Sequence, residues 1–107
     1  MEILYKIGGI ILKNRNVLVA RKKDTYLIPG GKIKTGEQAE QCLSRELNEE
    51  LGVTLVSQRY FGEYEDKAAL DPDKMINIEL FVVSIKGEPS PHAEINDIKY
   101  INLKVKY

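Results

Sequence analysis

Apolar and polar positions change period several times along this chain, and each change marks an element. Ile3–Leu12 is rich in β-branched and aromatic residues and carries Gly8-Gly9, which reads as a strand with a bulge or a close backbone approach. Lys13-Asn14-Arg15-Asn16 is a turn, and Val17–Arg21 returns as a second strand, so the first 22 residues read as a hairpin. Tyr26-Leu27-Ile28 is a short extended piece that ends at the break Pro29-Gly30-Gly31, and Lys32–Gly36 continues as a loop. Thr35 fits an N-cap, a helix is predicted over Gly36–Leu51, and Gly52 fits its C-terminal stop. Beyond it come a strand over Val53–Glu65, a loop over Ala68–Lys74, a long strand over Met75–Ile85, a two-proline loop over Gly87–His92 and a short strand over Ile98–Leu103. Strands around one helix predict a mixed α+β or α/β sheet in a single domain spanning 1–107.

The helix holds the chemistry. At about 100° per residue, Ala39, Leu43, Leu47 and Leu51 form one apolar stripe that should face the sheet. Glu46 and Glu50 fall within about 20° of Ala39, and Glu49 about 60° further round, beside Cys42. Three carboxylates on one border of a packing face repel one another unless a positive charge sits among them. A hard divalent cation is the natural counter-charge, because Mg²⁺ takes oxygen ligands and shares them with phosphates. Taken alone, a Glu-rich helix end is more often a solvated face. The preceding loop shifts the balance: Gly30, Gly31 and Gly36 let backbone approach a ligand, the helix N-terminus favours anions, and Lys32 and Lys34 add charge.

Composition narrows the partners. Sixteen basic and sixteen acidic residues give zero net charge, which argues against a long nucleic acid as ligand. The single cysteine, Cys42, allows no intramolecular disulfide and no cysteine-based zinc site, and fits a reducing cytoplasm. No apolar run approaches the ~20 residues of a membrane span.

Gly31, Glu37, Arg45-Glu46-Leu47, Glu49-Glu50 and Gly52-Val53 stand at the spacing of the Nudix box, with no mismatch. At ordinary residue frequencies such a pattern arises by chance in on the order of one window in a billion. The box and the order of strands around it resemble the Nudix family over most of the chain, nearest to its nucleoside triphosphate and oxidised-guanine nucleotide pyrophosphohydrolases. The resemblance implies an α/β fold, an α/β/α sandwich around a mixed sheet, and metal-dependent hydrolysis of a diphosphate linkage in a small nucleotide-like substrate by in-line attack of water. It implies Mg²⁺, or Mn²⁺, held by Glu46, Glu49, Glu50 and the Gly30 carbonyl, with Glu37 and Arg45 bracing the box. It leaves the general base open between a box glutamate and a loop carboxylate. Glu94, six residues before Tyr100, is the first choice outside the box and Asp97 the second.

Other residues are weighed beside these. By resemblance Arg21 contacts the nucleotide, though a strand-end arginine is as often a surface residue. Lys32 and Gly31 are expected to meet phosphate. Tyr26 and Phe61 could stack on a base, but strand aromatics are more often core. His92, the only histidine, lacks a partner for zinc, and Cys42 reads as a packing residue. Glu63, Glu65 and Asp66 could border the metals, although a solvated strand end is the better reading. The family's usual helix after the last strand has no counterpart before Tyr107, and an uncovered sheet face would favour a homodimer. A nucleotide sensor is the alternative function, but such domains lose box carboxylates. Isoprenyl diphosphate isomerisation would want a cysteine outside the helix.

Overall fold

The computed structural model describes residues 2–68 and 71–102. Among the described residues, eight strands and one helix follow in chain order: β1 (Glu2–Ile10), β2 (Leu12–Lys13), β3 (Asn16–Lys22), β4 (Thr25–Leu27), β5 (Gly30–Lys32), α1 (Ala39–Leu51), β6 (Thr54–Ala68), β7 (Asp71–Lys86) and β8 (Ile95–Asn102). One sheet has the order β5-β1-β7-β6. Its β1 and β7 run parallel, and the other pairs are antiparallel, so the sheet is mixed. The second sheet is antiparallel, with β3 between β8 on one side and β2 and β4 on the other. This is an α/β fold, and any helix following β8 lies outside the described residues.

The expected hairpin of residues 3–21 is corrected. The turn is where the pattern placed it, with Asn14 and Arg15 at φ 52° and 65°, as a two-residue hairpin turn requires. Only Leu12-Lys13 pairs across that turn with Asn16-Val17, however. The chain switches sheets at Ile11, and β1 lies between β5 and β7. A strand buried on both faces shows a continuous run without polar side chains, and Ile7–Ile10 has that character. Gly8 and Gly9 are close approaches: a Cβ on Gly9 would stand 3.2 Å from Leu43 Cδ1 of the helix, and one on Gly8 2.9 Å from Leu80.

The helix starts at Ala39 instead of Gly36. Gly36 takes a left-handed φ of 80°, Glu37 donates its N–H to the Lys34 carbonyl, and Gln38 caps the helix with Gln41 Oε1 accepting its N–H at 2.8 Å. Thr35 is therefore in a turn, not at the cap. At the other end Gly52 (φ 70°) donates to the Asn48 carbonyl, the expected stop. Leu43, Leu47 and Leu51 are fully buried with Ile7, Ile11, Leu18, Val53 and Val83, and Ala39 packs beside them. Each buried leucine removes apolar surface worth about 1.5–3 kcal/mol from water. The predicted break at Gly30-Gly31 is in fact strand β5, and β7 begins at Asp71, inside the predicted loop. β8 begins at Ile95; the predicted strand end at Leu103 lies outside the described residues.

Candidate active site

The carboxylate edge of α1 faces the short strand β5. Glu50 is only 6% exposed. Its Oε1 accepts the Gly30 N–H at 3.0 Å, and its Oε2 lies 3.7 Å from the Lys22 ammonium. Burial raises the Glu50 carboxyl above the ordinary range, against the pull of the Gly30 N–H and Lys22. Glu46 lies over Gly31 so closely that a Cβ there would be 2.5 Å from its carboxyl group. Glu49, on the same helical border, keeps about half its side chain in solvent.

Arg45 braces the turn before the helix. Its Nε and Nη2 donate to the two oxygens of Glu37 at 2.8 and 2.9 Å, Nη1 donates to Glu46 at 2.7 Å, and Nη2 also reaches the Lys32 carbonyl at 3.2 Å. Such a planar fork suits a guanidinium alone. The Arg45 guanidinium, aided by the Lys34 N–H, lowers the Glu37 carboxyl from 4.5 to about 2. A carboxylate lowered in the folded state adds stability that is present above pH 4.5 and is lost as pH falls toward 2. Acid titration of Glu37→Gln is expected to give a shallower loss of stability across that window than the parent. Superimposable acid limbs would contradict the brace.

Glu94 reaches the same edge through the loop after β7. Ser90 N–H donates to the Leu51 carbonyl and His92 N–H to the Glu50 carbonyl, so this loop satisfies the open end of the helix. Two residues later, Glu94 stands 3.5 Å from Lys22. Glu46, Glu49, Glu50, Glu94, Lys22 and Ala93 line one polar cleft of about 190 Å³. Among the described residues no three acidic, histidine or cysteine side chains already converge as a finished metal cage. The donor chemistry still fits a hard cation: four carboxylates line the cleft, and Lys22 is the only basic residue lining it. A second cavity, about 250 Å³ and largely aliphatic, adjoins the cleft and shares Lys22 and Glu50 with it. Gly30 and Gly31 lie on its wall.

Other expected site residues lie elsewhere. Arg21 donates to Asn96 Oδ1 and lies over the Tyr26 ring; it lines neither cavity. Its neighbour Lys22 does, because successive strand residues alternate and the register with β8 shifts between the two. Lys22 escaped the sequence reading for want of any motif around it; only strand parity could have found it. Lys32 is exposed at the end of β5 and offers its carbonyl to Arg45. Asp97 accepts a short hydrogen bond from Tyr26, away from the carboxylate cleft. Tyr26 lies under Lys99, and Phe61 is exposed, so neither aromatic lines a cavity. Glu63 and Glu65 accept hydrogen bonds from Asn77 on β7. His92 lies against Gly52 and bonds Ser90. Burial and the Glu37 charge push the Cys42 thiol up to about 11, which keeps it protonated and unreactive. No described helix is long and apolar enough to cross a membrane.

A NUDIX domain model matches residues 5–105. An 8-oxo-dGTP diphosphatase of Escherichia coli (strain K12) is 33% identical over 95 residues, covering 82% of this chain and 71% of the relative. An ADP-ribose pyrophosphatase of Methanocaldococcus jannaschii is 24% identical over 102 residues, covering 91% of this chain and 60% of the relative. The MutT NUDIX hydrolase from Burkholderia pseudomallei superposes with a TM-score of 0.83 over 99% of this chain and 90% of its own, at 18% identity, and so shares the fold. The match across nearly the whole chain, on the residues that surround this cleft, places the protein in the NUDIX family of hydrolases acting on phosphoric anhydrides.

Proposed function

We propose that this chain is a single domain that cleaves the diphosphate linkage of a nucleoside triphosphate or a related nucleoside diphosphate derivative, using Mg²⁺ or Mn²⁺. The observation that carries the proposal is the cleft of four carboxylates lined by a single lysine, set beside an aliphatic cavity. Such an excess of negative charge attracts a cation, and a diphosphate is the anion that would join the cation there. Glu46, Glu49, Glu50 and the Gly30 carbonyl are assigned to hold the ion. The ion would supply Lewis-acid charge that draws electron density off the phosphate oxygens.

The chain's own groups supply positioning and proton transfer, which is most of what phosphoryl transfer asks of a protein. Gly30 N–H fixes the orientation of Glu50. Arg45 and Glu37 fix β5 relative to α1, and Glu46 with them. Lys22, paired in the cleft with Glu50 and Glu94, is the group that a cation would displace and that a phosphate would then attract. Glu94, with most of its side chain in solvent, is assigned as the base that takes the proton of the attacking water.

The test is release of phosphate or pyrophosphate from 8-oxo-dGTP, the ordinary nucleoside triphosphates, ADP-ribose and dinucleoside polyphosphates. Turnover is expected with Mg²⁺ or Mn²⁺, none after chelation, and recovery on adding the metal back. The nucleoside triphosphates are expected to lead, in line with the named activity of the more similar relative. Tight nucleotide binding without turnover of any compound would replace this reading with a sensor.

A further inference from the structure

The aliphatic cavity beside the cleft is lined by two charges that neither the fold nor the catalytic assignment uses, the exposed Lys67 and the partly buried Lys6. Leu27, Ile28, Ile76, Ile78, Leu80 and Ile95 form its apolar wall. Lys6 joins them from β1, directly across from Ile78 on β7, with Gly8 and Leu80 the next pair on the same face. It is partly buried, and its desolvation together with the like charges of Lys22 and Lys32 pushes its pKa down. Glu50 and Glu46 attract its charge, but among the described residues its ammonium makes no ion pair and no hydrogen bond. A central strand bordering an apolar cavity is an expensive place for a cation, since burial without a partner disfavours the charged form. An ammonium has three donors and no acceptor, so what it lacks is an oxygen or nitrogen acceptor.

We propose that Lys6 is a specificity-determining residue, reading a carbonyl-bearing edge of a heterocycle held in this cavity. The proposal rests on the hydrolase reading for the position of the diphosphate. The cavity shares Lys22 and Glu50 with the carboxylate cleft, so a nucleotide whose phosphates occupy the cleft extends its base toward Lys6. The flat apolar faces of a base suit the isoleucine and leucine walls. At its edge, guanine offers O6 and N7 and uracil offers O4, all acceptors. Adenine shares the N7 acceptor but places an amino group where guanine has O6, and cytosine places one where uracil has O4; an ammonium, with donors only, gains no bond from either amino group. The cavity therefore selects oxo bases over amino bases.

The experiment compares kcat/KM for GTP and UTP with ATP and CTP in the parent, Lys6→Met and Lys6→Gln. The parent is expected to favour the oxo bases by roughly tenfold or more. Methionine fits the aliphatic wall and gives no donor, and glutamine offers donor and acceptor alike, so both are expected to bring the ratio toward one. An unchanged ratio in both variants, or a parent that prefers ATP and CTP, would overturn the assignment. Calorimetric binding of GMP against AMP reads the same preference without turnover. A protein that hydrolyses nothing yet binds GMP better than AMP, and loses that difference in Lys6→Met, would keep this inference while the hydrolase reading failed. Equal binding of GMP and AMP would remove it.

Discussion

Glu49→Gln is expected to lower kcat on every substrate by on the order of 10²–10³, the size of effect seen when one electrostatic contact to a transition state is removed. Thermal stability is expected to stay close to that of the parent. The two outcomes separate because of where Glu49 sits. Of the three helix carboxylates at the cleft it alone leaves about half its side chain in solvent, and its partner among the described residues, Arg45, is 3.6 Å away. An exposed pair of that kind contributes little to folding. Glu50 and Glu46 do not offer so clean a test. Glu50 accepts the Gly30 N–H and is nearly buried, and Glu46 is held by Arg45 and lies over Gly31, so their replacement also disturbs the joint between α1 and β5. Steady-state kinetics on Glu49→Gln, with a melting curve beside them, makes the check. Turnover within a few-fold of the parent would remove Glu49 from the metal site.

Gly30→Ala is expected to have the largest structural effect of any single methyl group added to the chain, destabilising it by about 3 kcal/mol or more. Gly30 has φ 150°, which L side chains rarely adopt. A Cβ there would lie 2.0 Å from the Ile7 carbonyl oxygen and 2.8 Å from Gly8 Cα. Those are backbone atoms of the central strand and cannot turn aside as a side-chain end can. The displacement would also withdraw the N–H that orients Glu50. Gly31→Ala contrasts with it. There the clash is with the Glu46 carboxyl group, the far end of a flexible side chain, so folding survives and the carboxylate moves. Denaturant melts of the two variants give the comparison. Equal, small losses would mean that β5 does not pack against β1 as described.

Some of this was legible in the residues and some was not, for physical reasons. The box was legible because its chemistry is local: Arg45, Glu46, Glu49 and Glu50 share one helix, and helical geometry fixes their relative directions. The apolar stripe of Leu43, Leu47 and Leu51 was legible for the same reason, as was the Gly52 stop. The partner of β1 was not. Its run of apolar residues identifies a buried strand, but the choice of a parallel mate some 70 residues later depends on tertiary packing. The helix start was misplaced because Thr35 has the chemistry of a cap, while Gly36 and the Glu37–Arg45 brace hold that segment in a turn. Lys22 and Lys6 were missed because a lysine on a strand announces nothing by itself. What matters is which face it takes and which cavity lies there, and both are settled by pairing between distant strands.

The most direct test is crystallographic, on crystals grown with Mn²⁺ and a non-hydrolysable nucleoside triphosphate, with anomalous maps recorded for manganese. The account predicts at least one strong peak coordinated by oxygens of Glu46, Glu49 or Glu50, with Lys22 turned away from Glu50 toward phosphate. An empty carboxylate edge with Lys22 still paired to Glu50 and Glu94, and nucleotide bound elsewhere, would contradict it.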